Sequence, residues 1–162
     1  MFSPALLSLA KTVLDEARAN KLRLATAESC TGGLIAGLLT EIPGSSDVLE
    51  RGFVVYSNKA KRELLGVPGA LITHDGAVSK SVVCAMAEGA LARADAELAV
   101  AVTGVAGPGG GTAEKPVGLV HFAFCRKGGA TLHEEHRFGD IGRTQVRLET
   151  VKTALELVRR LM

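Results

Sequence analysis

The run from Glu97 to Thr103, ELAVAVT, constrains this chain more than any other stretch. A strand with one wet face alternates apolar and polar residues, whereas one without alternation is covered on both sides. Helices must therefore lie above and below the sheet that holds it. The flanking sequence supplies them. After Pro4, the residues Ala5, Leu6, Leu9, Val13, Leu14 and Ala17 recur at helical spacing. Leu22 to Ala27 predicts a strand, Gly32 to about Glu41 an aliphatic helix, and residues 42–46 a loop. A second strand is expected over Gly52–Tyr56, then a helix from Lys59 to Leu65 that Asn58 or Ser57 caps and Gly66 ends. A loop carries His74, Asp75 and Gly76, after which Ser79 caps a longer helix that buries Val82, Val83, Met86, Ala90 and Leu91. Beyond the apolar strand come a glycine-rich turn, Gly104 to Gly111, a strand over Leu119–Phe124 and an antiparallel neighbour over Thr131–Phe138. Asp140 is expected to cap the last helix, whose Leu148, Val151, Leu155, Val158 and Met162 form one apolar stripe. The expected fold is α/β: a three-layer α/β/α sandwich with a mixed sheet, a single domain over residues 1–162.

Composition removes several classes of function. The net charge is only +2, and no Lys/Arg cluster stands beside aromatics, so nucleic acid is not an expected partner. No apolar run has the length to cross a bilayer, and residues 1–20 carry charges at helical spacing in place of a signal-peptide core. A cytoplasmic protein is expected. Its three cysteines, Cys30, Cys84 and Cys125, are odd in number and widely spaced, which supports neither a disulfide framework nor a zinc site. Amphipathic helices at both ends lead to the expectation of a homo-oligomer of unspecified symmetry.

The chemistry concentrates in Thr26 to Leu39, TAESCTGGLIAGLL. A helix that opens just after a serine aims unpaired N–H groups at the hydroxyl, so these residues offer both a nucleophile and a cradle for negative charge. Ser29 or Thr31 serves equally well as a helix cap. Cys30 is either a thiol nucleophile or a small buried hydrophobe. Ser29 misses the GxSxG pattern, and Gly104 to Thr112 lacks both the Gly-Lys-Ser/Thr ending of a P-loop and GxGxxG spacing. The second glycine turn is then an anion cradle or a structural turn. If the two strands before these turns are parallel neighbours, both turns face one crevice. His133 and His136 resemble a metal pair, but an odd separation on a strand sends them to opposite faces. His74 with Asp75 offers the rest of a serine triad or an unconnected loop pair. Lys61 follows Tyr56 and Asn58 near a strand end. It acts as a base only if neutral, and an unperturbed lysine near pKa ~10.4 is charged at pH 7.

The segments AESCTGG (27–33), GSS (44–46), GFVVYSNKAK (52–61), LGV (65–67), GAVS (76–79), TGVAGPGGG (103–111) and KPVG (115–118) closely resemble the CinA C-terminal family, which includes nicotinamide mononucleotide deamidases. The likeness extends over nearly the whole chain, with its motifs in the same order. Asp75 departs from the pattern, which has His directly before Gly-Ala-Val-Ser, and that leaves His74 without an assigned role. The resemblance implies hydrolysis of the carboxamide of nicotinamide mononucleotide to nicotinic acid mononucleotide and ammonia, with no metal and no cofactor. It implies Ser29 as nucleophile, Lys61 as base and Tyr56 as a binding or proton-relaying neighbour. Backbone N–H groups around Thr31, Gly32 and Gly33 would receive the oxyanion. Asn58, Thr103, Gly104, Gly107 and Gly109, with Ser46 or Arg143, would hold the nucleotide. Direct attack by water, with Ser29 only positioning the amide, is the alternative step. A nucleotide-binding regulatory module without turnover is the alternative function.

Overall fold

A computed structural model describes residues 1–162. Its elements in chain order are α1 (Pro4–Ala19), β1 (Leu24–Glu28), α2 (Leu34–Thr40), β2 (Leu49–Val54), α3 (Asn58–Leu65), α4 (Gly69–Asp75), α5 (Lys80–Arg93), β3 (Leu98–Gly104), β4 (Leu119–Arg126), β5 (Leu132–Arg137) and α6 (Arg143–Arg159), with one 3₁₀ turn at Ser45–Asp47. The strands form one sheet in the order β2-β1-β3-β4-β5. The first three are mutually parallel, while β4 and β5 run antiparallel to their neighbours. The sandwich with a mixed sheet is the architecture expected from the sequence.

Alternation along β3 divides the core in two. Leu98, Val100 and Val102 face α1, α2 and α6 in a cluster that also holds Leu14, Leu38, Phe122 and Leu155. Ala99 and Ala101 face the other way, with Ala123, against Met86, Ala87 and Ala90 of α5. Small side chains on that face let α5 lie close to the sheet. They also let α3 lie close to α5, where Gly89 is the contact: a Cβ there would fall 2.0 Å from the Leu65 carbonyl oxygen. No helix is long and apolar enough to cross a membrane.

Three local expectations are corrected. Residues 69–75 form α4 where a loop was expected; none of its residues is buried, so it has no apolar stripe to betray it. Asp140 does not cap α6. The chain turns at Gly139 (φ 82°) and Gly142 (φ 92°), and α6 starts after Gly142 with no side-chain cap. Helix α2 starts at Leu34, because Gly32 (φ 58°) and Gly33 (φ 99°) hold left-handed conformations that L side chains rarely adopt.

Two glycine substitutions should move stability in opposite directions. Gly89→Ala must push α3 from α5 and should lower unfolding free energy by about 1–3 kcal/mol. Gly37, inside α2 with no atom within 4 Å of its Cβ position, should gain ~0.5–1 kcal/mol as alanine. Urea denaturation of both variants checks the signs.

Candidate active site

The parallel strands β2, β1 and β3 end at the same edge of the sheet, where Glu28 pairs with Val54 on one side and Val102 on the other. Two hydrogen bonds carry the ladder a step further: Val55 N–H donates to Glu28 O at 2.9 Å, and Ser29 N–H donates to Val102 O at 3.2 Å. Ser29 is thus fixed by backbone bonds between the two neighbouring strand ends. This edge, beyond the carboxyl ends of parallel strands, is where open α/β sheets gather ligands.

Lys61 comes to the same edge from α3. Ser57 caps that helix by accepting from Ala60 N–H at 3.0 Å. Helical side chains lean toward the N-terminus, so a residue one turn in points back at the strand end that feeds the helix. The Lys61 Nζ lies 3.0 Å from Ser29 Oγ, 2.9 Å from the Val55 carbonyl oxygen and 3.3 Å from that of Tyr56. Its residue is 1% exposed, among the largest fully buried side chains in the protein. Burial pushes its pKa below the ordinary 10.5, with the Cys30 thiol opposing. Lys61 is thus a buried lysine facing Ser29, not one held in solvent.

The turn after β1 is held from two sides. Glu28 is fully buried and accepts from Thr31 Oγ1 at 2.6 Å, Ile35 N–H at 2.8 Å and Ala36 N–H at 3.1 Å. Burial raises its pKa, and these donors together with the Gly33 N–H oppose that rise. The cap of α2 is therefore this carboxylate, neither Ser29 nor Thr31. From α6, Arg147 donates through Nε to Cys30 O at 3.1 Å and through a terminal nitrogen to Thr31 O at 3.0 Å. Gly32 N–H donates to Ser29 O, and Leu34 N–H to Thr31 O. The Gly32 N–H, one of those expected to receive an oxyanion, is thus engaged already. Within the turn, the N–H groups of Cys30, Thr31 and Gly33 make no hydrogen bond to another residue, and that of Gly33 is turned toward Glu28. Burial also pushes the Cys30 thiol up to about 12, which favours the small buried hydrophobe of its two readings.

The other expected residues divide into those at this edge and those away from it. Arg143 donates to the Tyr56 hydroxyl at 3.0 Å and to Gly107 O at 2.8 Å, so it ties the end of β2 to the second glycine turn. Only the carbonyl of Tyr56 touches Lys61; the ring is 60% exposed and its hydroxyl bonds Arg143, which gives it no direct path for a proton to Lys61. Thr103 is buried, its hydroxyl donating to Ala77 O at 2.9 Å. Gly104 lies against Leu119 O, where a Cβ would meet it at 2.7 Å. Asn58 is exposed at the start of α3, and Gly109 is exposed in the turn. Ser46 lies at the opposite edge: it precedes β2, whose Leu49 pairs with Leu24 at the start of β1. It is not brought to Ser29 within this chain, and its place in the expected site is corrected accordingly.

His74 is exposed and bonds Asp75, whose second oxygen accepts from Ser81 Oγ, so this pair does not extend Ser29 into a triad. His133 meets His121 at 2.9 Å while His136 meets Glu134, on opposite faces as the odd spacing requires. Glu28 and Arg147 are the site residues that sequence reasoning missed. A carboxylate ending an apolar strand just before a helix was a usable signal for Glu28. Nothing local marks Arg147, whose partners are 116 and 117 residues away.

Comparisons with known proteins agree with this fold over its full length. A CinA-like protein of Akkermansia muciniphila is 54% identical over 134 residues, which is 83% of this chain and 32% of that protein. One from a Synechococcus strain is 51% identical over 153 residues, 94% of this chain and 36% of that protein. The chain spans about a third of the length of these curated relatives. The crystal structure of competence/damage inducible protein CihA from Agrobacterium tumefaciens superposes with a TM-score of 0.97 at 56% identity, covering 99% of this chain and 98% of that one. A competence-damaged protein (CinA) superfamily protein from Escherichia coli gives 0.92 at 33% identity, covering 100% and 94%. The family model described as the CinA C-terminal domain matches residues 6–162, and the chain belongs to that family.

Proposed function

We propose that this protein is an amidohydrolase that converts nicotinamide mononucleotide and water to nicotinic acid mononucleotide and ammonia. The observation that carries the reading is the buried Lys61 Nζ at 3.0 Å from Ser29 Oγ. A neutral amine has two N–H bonds and one lone pair. The carbonyls of Val55 and Tyr56 take the two N–H bonds, which leaves the lone pair for the Ser29 hydroxyl proton.

Lys61 accepts that proton as Oγ attacks the carboxamide carbon. The carbonyl oxygen becomes an oxyanion, and the free N–H groups of Cys30 and Thr31 are the donors available to it. Collapse expels the nitrogen as ammonia, with Lys61 returning the proton to the leaving group. A water then gives its proton to Lys61, attacks the ester carbon and releases the carboxylate and Ser29. Tyr56, Asn58, Thr103, Gly104, Gly107, Gly109 and Arg143 are assigned to hold the nucleotide. Arg143 at the rim is the one cation among them and is suited to the phosphate. No step calls for a metal or cofactor.

The rival is a regulatory module that binds the mononucleotide without turnover. Incubation of the full chain with nicotinamide mononucleotide, assayed for ammonia, separates the two: calorimetric binding without ammonia would establish the module. Ser29→Ala should bind the mononucleotide while losing at least about 10³-fold in kcat. Near-normal turnover in that variant would leave direct water attack in its place.

The pH dependence has a defined sign. A base works deprotonated, so kcat should rise with pH through the Lys61 pKa, at a value below 10.5. Lys61→Met should abolish that limb. Stability carries the same signature. Between the depressed folded pKa and 10.5 the unfolded chain binds more protons, so wild-type stability relative to Lys61→Met should climb with pH across that window. A flat difference in denaturation midpoint would place the charged ammonium in the folded site.

A further inference from the structure

We infer that Arg147 acts through the Cys30–Thr31 peptide to strengthen the Thr31 N–H as an oxyanion donor, and so is a positioning residue for the reaction proposed above, on which this inference rests. The Cys30 carbonyl and the Thr31 N–H are the two ends of one peptide unit. That unit is trans, since the only cis bond in the chain is Gly107-Pro108. In a trans peptide the C=O and N–H point in opposite directions. Arg147 Nε bonds the carbonyl end at 3.1 Å, and the N–H end bonds no other residue. The guanidinium therefore grips the peptide from the α6 side and leaves its N–H directed away from α6.

A charged donor on a carbonyl oxygen pulls electron density along the amide and makes its N–H a better donor, as in any hydrogen-bonded chain. The neighbouring unit repeats the arrangement. The other Arg147 nitrogen bonds Thr31 O at 3.0 Å, and the N–H of that peptide, on Gly32, donates to Ser29 O at 3.0 Å. One side chain thus polarises two successive peptides, of which one fixes the serine and one stays free for substrate.

The charge is needed because of what lies beside it. Glu28 is a fully buried carboxylate that forms no salt bridge and accepts from the Thr31 hydroxyl at 2.6 Å. An oxyanion forming against the same turn would be repelled by it. Arg147 is the cation that contacts the turn, and its field favours the oxyanion over the neutral carboxamide. Its effect is therefore greater on the transition state than on the bound substrate. Arg143, in contrast, contacts Tyr56 and Gly107.

The test compares Arg147→Gln, which keeps an amide donor but no charge, with Arg147→Lys, which keeps the charge but not the fork. The substrate is nicotinamide mononucleotide and the readouts are kcat and KM. Removing one oxyanion donor outright costs about 10²–10³ in kcat; weakening one should cost roughly ten- to hundredfold in Arg147→Gln with KM little changed. Arg147→Lys should recover most of the loss. Equal losses in both variants, or a loss confined to KM, would mean a mechanical clamp and overturn the inference. A second readout does not use turnover: the Thr31 amide proton should move upfield in the NMR spectrum of Arg147→Gln, and an unmoved resonance overturns polarisation. Should Arg147→Gln fail to fold, Arg147→His carries the test. Its kcat relative to wild type must then rise as pH falls through about 6.5, the imidazole range, and a flat ratio overturns the inference. Absence of ammonia from the wild type would sink the functional reading and this one together, whereas an active wild type with full kcat in Arg147→Gln would sink this one alone.

Discussion

The site is organised by a lysine nitrogen placed in the protein interior without a carboxylate to pair it. Charged groups in that position are costly, and the ordinary remedy is a neighbouring anion. Lys61 has instead two backbone carbonyls and a neutral hydroxyl within hydrogen-bond distance, none of which stabilises an ammonium as a carboxylate would. Burial is then the dominant influence, and it acts in favour of the free amine. Everything that closes this pocket, including the small-residue face of β3 and the tight seat of α3 on α5, contributes to that environment.

The apolar strand β3 and its helical flanks were legible in the sequence because their signal is periodicity, which survives without knowledge of partners. Helix α4 was not, since GALITHD lies half-exposed and its N-cap residue, Pro68, makes no side-chain cap. Asp140 misled for a related reason: an Asp before an apolar stripe is a cap only if the helix starts there, and left-handed Gly139 and Gly142 postpone the start. For the site, the serine turn was visible and its consequence was not. Ser29 and Lys61 are 32 residues apart. Their meeting requires β1 and β2 to be parallel neighbours and α3 to tilt its side chains back, neither of which spacing alone encodes. Family motifs named Ser46 together with Ser29, yet an α-helix separates them, and α2 carries the chain to the far edge of the sheet before Ser46 is reached. Arg147 was illegible altogether, because a charge on a helix takes its meaning from what the helix packs against.

Membership of the CinA C-terminal domain family and close structural likeness fix the scaffold, but a scaffold hosts more than one chemistry. The proposal of hydrolysis over simple binding rests on the separation of an acid and a base by the sheet. Glu28 and Ser29 are adjacent, so alternation sends their side chains to opposite faces. Glu28 goes to the α2 side, where helix N–H groups receive it, and Ser29 goes to the α3 side, where Lys61 waits. A slip of one residue would aim the carboxylate at Lys61. The pair would then ionise, as buried acids and bases within hydrogen-bond reach do, and the amine would have no lone pair to offer. A pocket built only to bind a nucleotide has no need to depress a lysine's pKa, and a lysine facing the phosphate would serve it better charged. The sheet between Glu28 and Lys61 is thus the feature that a binding module would not require and a base-activated serine would.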